Sequence, residues 1–256
     1  MVSFIVLAHS NPKHLHNLVL TLSTDFPVHV HIDHKVPISK FSRLCQSKQI
    51  PARYVVEWGT FDVVKATLEL MKYVVRDGTE RIVLLSGTDF PACSNNTIRT
   101  YFKRNKDSEC INCVPLPSSS CGKSEAWIPK EFREFFPEMV PYGGSQWWAI
   151  TKDAAKYILS KYELKHEFMH CEIPDEFYFH TLLGNSKFAT NIIGNVTYRA
   201  KEIKRKPKVL TIKEYKRLKE RRIIQDRYGI REVLFARKFD DLITDEAYDC
   251  LHNFSS

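Results

Sequence analysis

Short apolar runs alternate with helix-patterned segments from the first residue onward, and that order leaves this chain few folds to adopt. Ser3-Phe4-Ile5-Val6-Leu7-Ala8 is followed by Ser10, Asn11 and Pro12, then by Leu15, Leu18, Val19 and Leu22 at helical spacing, which predicts strand, cap and helix. Val28, Val30 and Ile32 alternate with His29, His31 and Asp33, as in a strand with one buried face ending at an acidic residue. A further strand is expected over Tyr54 to Glu57, a helix over Val63 to Val75, and a strand over Arg81 to Leu85 bounded by Ser86 and Gly87. Strands separated by crossover helices imply a largely parallel sheet, an α/β fold. Ligands of such sheets gather at the carboxyl ends of the strands. Asp33, Trp58 to Thr60, and Ser86 to Pro91 all fall there.

The middle section is irregular, with Pro115, Pro117 and Ser118 to Ser120 marking a loop. Order returns with a strand expected over Ser145 to Ile150 and helices over Lys152 to Tyr162 and Pro174 to Leu183. With 256 residues, 43% hydrophobic and 27% charged, the composition suits one globular domain. We read residues 1–110 and 111–256 as two halves of that one domain. No run reaches the roughly 20 apolar residues of a membrane span, and the first residues lack a signal-peptide layout. The seven cysteines, 45, 93, 110, 113, 121, 171 and 250, are scattered and read as mostly reduced and buried. Cys110 and Cys113 have Cys-x-x-Cys spacing but no second pair at zinc-finger distance, so they read as two cysteines on a buried strand. Sequons at Asn95, Asn195 and Asn253 matter only in a secretory compartment.

The formal net charge is +8, and its location says more than its size. From Arg199 to Arg222 there are 12 Lys or Arg against 3 Glu. The basicity is one segment, suited to phosphates of a nucleotide-sugar or of nucleic acid, or to a solvated helix face. Nucleic acid is disfavoured, because the segment has no aromatic beyond Tyr215 and matches no recognised binding motif.

Glu176 follows Pro174 and Asp175 in what reads as a first helical turn, where the helix dipole favours an ionised carboxylate and hence a general base. Asp89 ends a buried strand after Gly87, aimed at a ligand or at the helix near Asn95. It has no second aspartate one residue away, which disfavours a divalent metal. Without a metal, a leaving diphosphate needs fixed cations, and Lys204 to Lys208, Arg237 and Lys238 supply them. Trp147 and Trp148 are adjacent, so on a strand they face opposite ways: both pack in the core, or one stacks on a sugar ring. His29, His31 and Asp33 share a strand, and solvent-facing alternation explains them better than a metal site.

Ser-Gly-Thr-Asp-Phe-Pro (86 to 91), Gly-Ser-Gln-Trp-Trp (144 to 148), Pro-Asp-Glu-Phe (174 to 177), Asn195-Val196-Thr197-Tyr198-Arg199 and Leu-Phe-Ala-Arg-Lys-Phe-Asp (234 to 240) together resemble the core-2/I-branching N-acetylglucosaminyltransferase family, which includes the peptide xylosyltransferases. The resemblance implies a glycosyltransferase A, Rossmann-like fold, a UDP-sugar donor, inversion at the anomeric carbon, and neither metal nor other cofactor. It puts the catalytic base at Glu176, a diphosphate contact at Lys238 with a second near Lys208, and a nucleoside contact at Asp33, with Trp58 and Thr60 nearby. Asp89 and Arg237 complete the donor side; Ser145, Gln146, Trp147, Trp148 and Asp175 are the acceptor-side candidates. The expected partners are a UDP-sugar and a glycan acceptor, with no nucleic acid and at most peripheral membrane association. A sequence starting at its first strand suggests a cytoplasmic enzyme of bacterial or viral type, building a surface polysaccharide, rather than a Golgi-lumen one. UDP-N-acetylglucosamine is the expected donor, UDP-xylose the alternative, and a non-catalytic carbohydrate-binding module of the same fold the competing class.

Overall fold

The strand-helix-strand rhythm begins at once, with β1 (Val2–Ala8), α1 (Pro12–Ser23) and β2 (Val28–Ile32). The computed structural model describes residues 1–44, 48–49, 52–119, 128–200 and 208–252. Cys45, Ser120, Cys121, the cations at 204–206 and Asn253 lie outside the described residues. After β2 come β3 (Lys48–Gln49), α2 (Asp62–Arg76), β4 (Arg81–Ser86), β5 (Asp89–Pro91) and α3 (Asn95–Arg104). The next stretch is made of shorter pieces: β6 (Glu109–Cys110), β7 (Val114–Pro115), α4 (Lys130–Phe135), β8 (Tyr142–Gly143), β9 (Ala149–Thr151), α5 (Lys152–Ser160), α6 (Lys165–Phe168) and α7 (Tyr178–Gly184). The last are β10 (Ile192–Ile193), β11 (Thr197–Arg199), α8 (Ile212–Glu220), β12 (Ile223–Asp226), β13 (Gly229–Glu232), β14 (Phe235–Arg237) and α9 (Thr244–His252).

The expected α/β class is the one observed. A seven-stranded sheet runs β10-β6-β9-β4-β1-β2-β3, parallel except that β9 opposes both β4 and β6. It draws strands from both sides of residue 110. A smaller sheet, β11-β14-β5, joins the end of the chain to the turn after β4. Alternation along β1 and β4 sorts the core into two layers. Phe4, Val6, Val83 and Leu85 pack with Leu15, Leu18 and Leu22 of α1 and with Phe235 and Tyr215. Ile5, Ile82 and Leu84 pack on the other face with Leu68 and Met71 of α2, Ile158 of α5 and Phe177 to Phe179. No helix among the described residues is long and apolar enough to cross a membrane.

Four local expectations are corrected. Strand β2 is buried on both faces, with His29 2% and His31 1% exposed, because helices cover both sides of the sheet and the polar alternation faces protein rather than water. His31 Nε2 accepts the Tyr54 N–H at 2.9 Å, and burial holds its pKa down at about 4. Residues 54–57 form no strand: β3 takes the place beside β2, and Arg53 ties the segment across the strand end through the Ile32 and Asp33 carbonyls at 2.9 and 2.8 Å. Cys113 lies beyond β6, half-buried, with its Sγ 3.4 Å from the His180 carbonyl; the thiols of Cys93, Cys110, Cys113, Cys171 and Cys250 are free.

The fourth correction shapes the site. Strand β9 starts only at Ala149, and residues 174–176 form a 3-10 turn that breaks at Phe177 (φ −128°, ψ −49°) before α7 begins. Both changes have one cause. The Gly144 N–H donates to the Glu176 carbonyl at 3.1 Å, and the His180 Nε2–H donates to the Ser145 carbonyl at 3.0 Å. Each segment therefore spends its backbone groups on the other instead of continuing a strand or a helix. Glu176 stands just before α7, outside its first turn.

Helix α8 has the chain's clearest start signal: Thr211 and Glu214 form a capping box, and Glu214 also pairs with Lys208. Lys208 first, then the cap hydrogen bonds, hold the Glu214 carboxyl down at about 2. The unfolded chain protonates near 4.5, so the contribution is full above that pH and drains away as pH falls toward 2. Glu214→Gln should cost about 1 kcal/mol at pH 7 for this partly exposed group, with the difference from wild type closing below pH 4 in urea titrations. Gly144 admits no side chain, because a Cβ would lie 1.7 Å from the Asn112 carbonyl oxygen and 2.6 Å from His180 Cδ2. Gly144→Ala should destabilise by about 3 kcal/mol, a melting temperature lower by about 6 to 12 °C.

Candidate active site

The carboxyl ends of β1, β2 and β4 open onto one end of the sheet, as parallel strands require. His9 follows β1 and Asp33 follows β2, and the two strands are held in step there by the Asp33 N–H donating to the Ala8 carbonyl at 2.9 Å. Asp33 is 6% exposed. Its Oδ1 accepts the Lys35 N–H at 2.9 Å, and Lys35 Nζ stands 4.0 Å from Oδ2 while bonding Glu57 at 2.9 Å. Trp58, on the next turn, is 86% exposed. That turn needs Gly59, whose φ is +77° and whose Cβ position lies 3.0 Å from the Glu172 carbonyl oxygen. The Trp58 turn therefore rests on the segment that leads to Glu176. Thr60 does not reach the same place: its hydroxyl lies 2.9 Å from the Glu57 carbonyl and 3.1 Å from Asp62, closing the turn into α2.

Asp89 is fully buried and engaged by protein groups, where the sequence suggested an open carboxylate or a helix cap. Its Oδ2 accepts the Ser86 N–H at 2.9 Å, and its Oδ1 lies 3.3 Å from Arg237 on β14, across the antiparallel register that pairs the two residues. Nor does it cap α3, where the Ser94 hydroxyl accepts the Thr97 N–H. Burial lifts the Asp89 carboxyl to about 6 against the pull of Arg237, so both partners are charged at neutral pH. Arg237 is likewise enclosed, its side chain 12% exposed, and its guanidinium carbon sits 4.1 Å from the centre of the Trp147 ring. Burial opposes its charge; Asp89 and Glu176 favour it, and Arg199 opposes it. Arg237 thus ties β5 to the segment before β9, with Glu176 within its electrostatic reach.

That arrangement corrects the tryptophans too. Trp148 is 1% exposed and packs on Phe179 at 5.3 Å; Trp147 is 8% exposed with a ring face under Arg237. Neither offers an open stacking surface. Ser145, Gln146, Asp175 and Glu176 remain half-buried on adjoining turns.

Lys238 follows Arg237 across a cis peptide bond and is half-buried. Its backbone is fixed on both sides, by the Leu210 N–H donating to its carbonyl and by the Phe239 N–H donating to the Thr88 carbonyl, both at 2.8 Å. His14, buried and held neutral with its pKa down at about 4, stacks on Phe239 and donates Nε2–H to the Asp89 carbonyl at 3.0 Å. Lys208, two residues before Leu210, whose N–H bonds the Lys238 carbonyl, pairs with Glu214. Among the described residues, no three His, Cys, Asp or Glu side chains converge as metal ligands would.

Sequence reasoning missed His9. It is exposed to solvent, yet the surrounding protein depresses its protonation, Lys238, Lys35 and Arg237 push the same way, and Asp33 opposes them. Its signal was positional: it stands one residue past β1, as Asp33 does past β2. Asp33 and Lys238 are thus within electrostatic reach of residue 9, and Glu176 within that of Arg237.

A model of the Core-2/I-Branching enzyme family matches residues 2–219. Xylosyltransferase 2 of Rattus norvegicus and of Homo sapiens are each 22% identical over 229 residues, covering 78% of this chain and 26% of the relative. The chain spans about a quarter of the length of these curated relatives. Among solved structures, mouse xyloside xylosyltransferase 1 in its apo form aligns over 92% of this chain and 97% of its own, with 10% identity and a TM-score of 0.43. The family match takes in both the parallel sheet and the Glu176 turn, and it spans four of the five motifs, those up to Arg199: this chain belongs to the Core-2/I-Branching enzyme family.

Proposed function

We propose that the protein is an inverting, metal-independent glycosyltransferase that moves a sugar from a UDP-sugar onto a glycan hydroxyl. The observation that supports this most is the Asp89–Arg237 pair at the carboxyl end of a parallel sheet, one residue from Lys238 and within electrostatic reach of Glu176. Glu176 takes the acceptor proton, the freed hydroxyl attacks the anomeric carbon, and UDP departs against Lys238. A single carboxylate suffices for inversion because no covalent sugar intermediate forms. Fixed cations beside the departing phosphates stabilise charge where it develops. In this reading Arg237 acts from within, holding Trp147 and the Glu176 turn, and Lys238 makes the phosphate contact. Asp33 takes the nucleoside, and the exposed ring of Trp58 offers the stacking surface that Trp147 and Trp148 do not.

The donor is UDP-N-acetylglucosamine or UDP-xylose. The relatives named xylosyltransferase 2 support trying xylose first. A screen for UDP release with both donors, with and without EDTA, tests donor class and metal independence together; no release under any condition would favour the non-catalytic carbohydrate-binding alternative. Glu176→Gln should leave UDP binding within a few-fold and lower transfer by about 100-fold or more; undiminished turnover would remove the assignment. Lys238→Ala should weaken UDP binding and slow transfer together, read by calorimetry and initial rates, and an unchanged UDP affinity would count against its phosphate role.

A further inference from the structure

His9 follows the central strand β1 at this end of the sheet, between the ends of β2 and β4. Its strand is paired with β2 up to Ala8 and Ile32, placing it beside Asp33, and with β4 up to Leu7 and Ser86, placing it beside Gly87 and Thr88. The chain after Lys238 returns over the same spot: Phe239 bonds the Thr88 carbonyl, and Asn11 Nδ2, two residues past His9, donates to the Phe239 carbonyl at 3.4 Å. The charged groups around the ring come from two elements. Asp33 and Lys35 follow β2, with Glu57 bound to Lys35; Arg237 ends β14 and Lys238 follows it, with Asp89, Arg199 and Glu176 acting on Arg237. Among the described residues, none covers the ring from solvent: His9 is exposed.

We propose that His9 is a diphosphate-binding residue, and that arrival of a nucleoside diphosphate carries a proton onto its imidazole. This rests on the glycosyltransferase reading and adds to it a proton-linked anion contact. In the empty protein, partial desolvation first, then Lys238, Lys35 and Arg237, hold the ring's pKa below its ordinary value, with Asp33 opposing them. A diphosphate seated against Lys238 brings negative charge among those cations and reverses the balance, favouring the imidazolium. Linkage then requires that UDP bind with proton uptake, and that affinity rise as pH falls toward the ring's pKa in the empty protein. The cationic ring adds a charged hydrogen bond to the phosphates. When UDP leaves, the proton leaves with it, which favours product release at higher pH.

The test is calorimetric titration of UDP into the wild type and His9→Gln at pH 6.5, in two buffers of different ionisation enthalpy. The terminal phosphate of UDP titrates in this range and contributes to both proteins, so the difference between them belongs to the imidazole. The wild type should take up about half a proton more per UDP. Its advantage in affinity over His9→Gln should grow from about twofold at pH 8 to about tenfold at pH 6, one pKa unit of coupling. His9→Lys, permanently charged, should recover affinity while losing the extra proton uptake. Equal uptake in wild type and His9→Gln, or an imidazole resonance that does not move on adding UDP, would overturn the assignment while leaving the glycosyltransferase reading intact. UDP binding to neither protein, with both folded by circular dichroism, would overturn the donor site itself and this inference with it.

Discussion

A guanidinium buried between a carboxylate and an indole is costly to build, and most of this site is arranged around it. Arg237 is held by Asp89 on the neighbouring strand and by the face of Trp147, and Glu176 adds a second negative charge within its field. Removing any partner from such a cluster leaves a charge in a poorly solvated place, a penalty of about 3 to 5 kcal/mol for a buried pair. The cluster therefore fixes relative positions. β14 cannot shift against β5 without separating Arg237 from Asp89, and the segment before β9 cannot move without uncovering Arg237. Lys238, the next residue, inherits that rigidity.

The same logic explains why Glu176 is presented by a short turn rather than a long helix. Its carbonyl is taken by Gly144, where no side chain fits, and α7 starts two residues later. A carboxylate held by backbone bonds at a break between elements is pre-positioned without being sealed in, as a base receiving a hydroxyl from solvent requires. On the other side of the sheet end, Lys238, Asp33 and Lys35 act electrostatically on His9. The site thus has an acidic side and a basic side, joined through Arg237.

The parallel sheet was legible because apolar runs and helical spacing in residues 2–86 are local signals of burial. Helix α2 and strand β4 fall within a residue of their expected bounds. What sequence could not show was which partner each polar group would choose. Asp89 had the spacing of a ligand residue, but the return of β14 from 146 residues later gave it Arg237 instead. His29 and His31 had the pattern of a solvated face, but α2 covers them. Trp147 and Trp148 were one motif with two readings, and Arg237 decided for burial. The expected helix from Pro174 had to yield to a hydrogen bond from Gly144, a long-range contact with no local signature. His9 carried a signal of position alone, since a lone histidine after a strand has no motif around it.

The central claim is that an ion-paired arginine holds a carboxylate and a lysine at one sheet end, facing one substrate. A crystal structure of the protein with UDP tests it most directly. The account predicts the diphosphate against Lys238 and His9, the uridine toward Asp33, and the Glu176 carboxylate facing the open side of the terminal phosphate. UDP bound elsewhere, or bound here with Glu176 turned away behind Arg237, would contradict it.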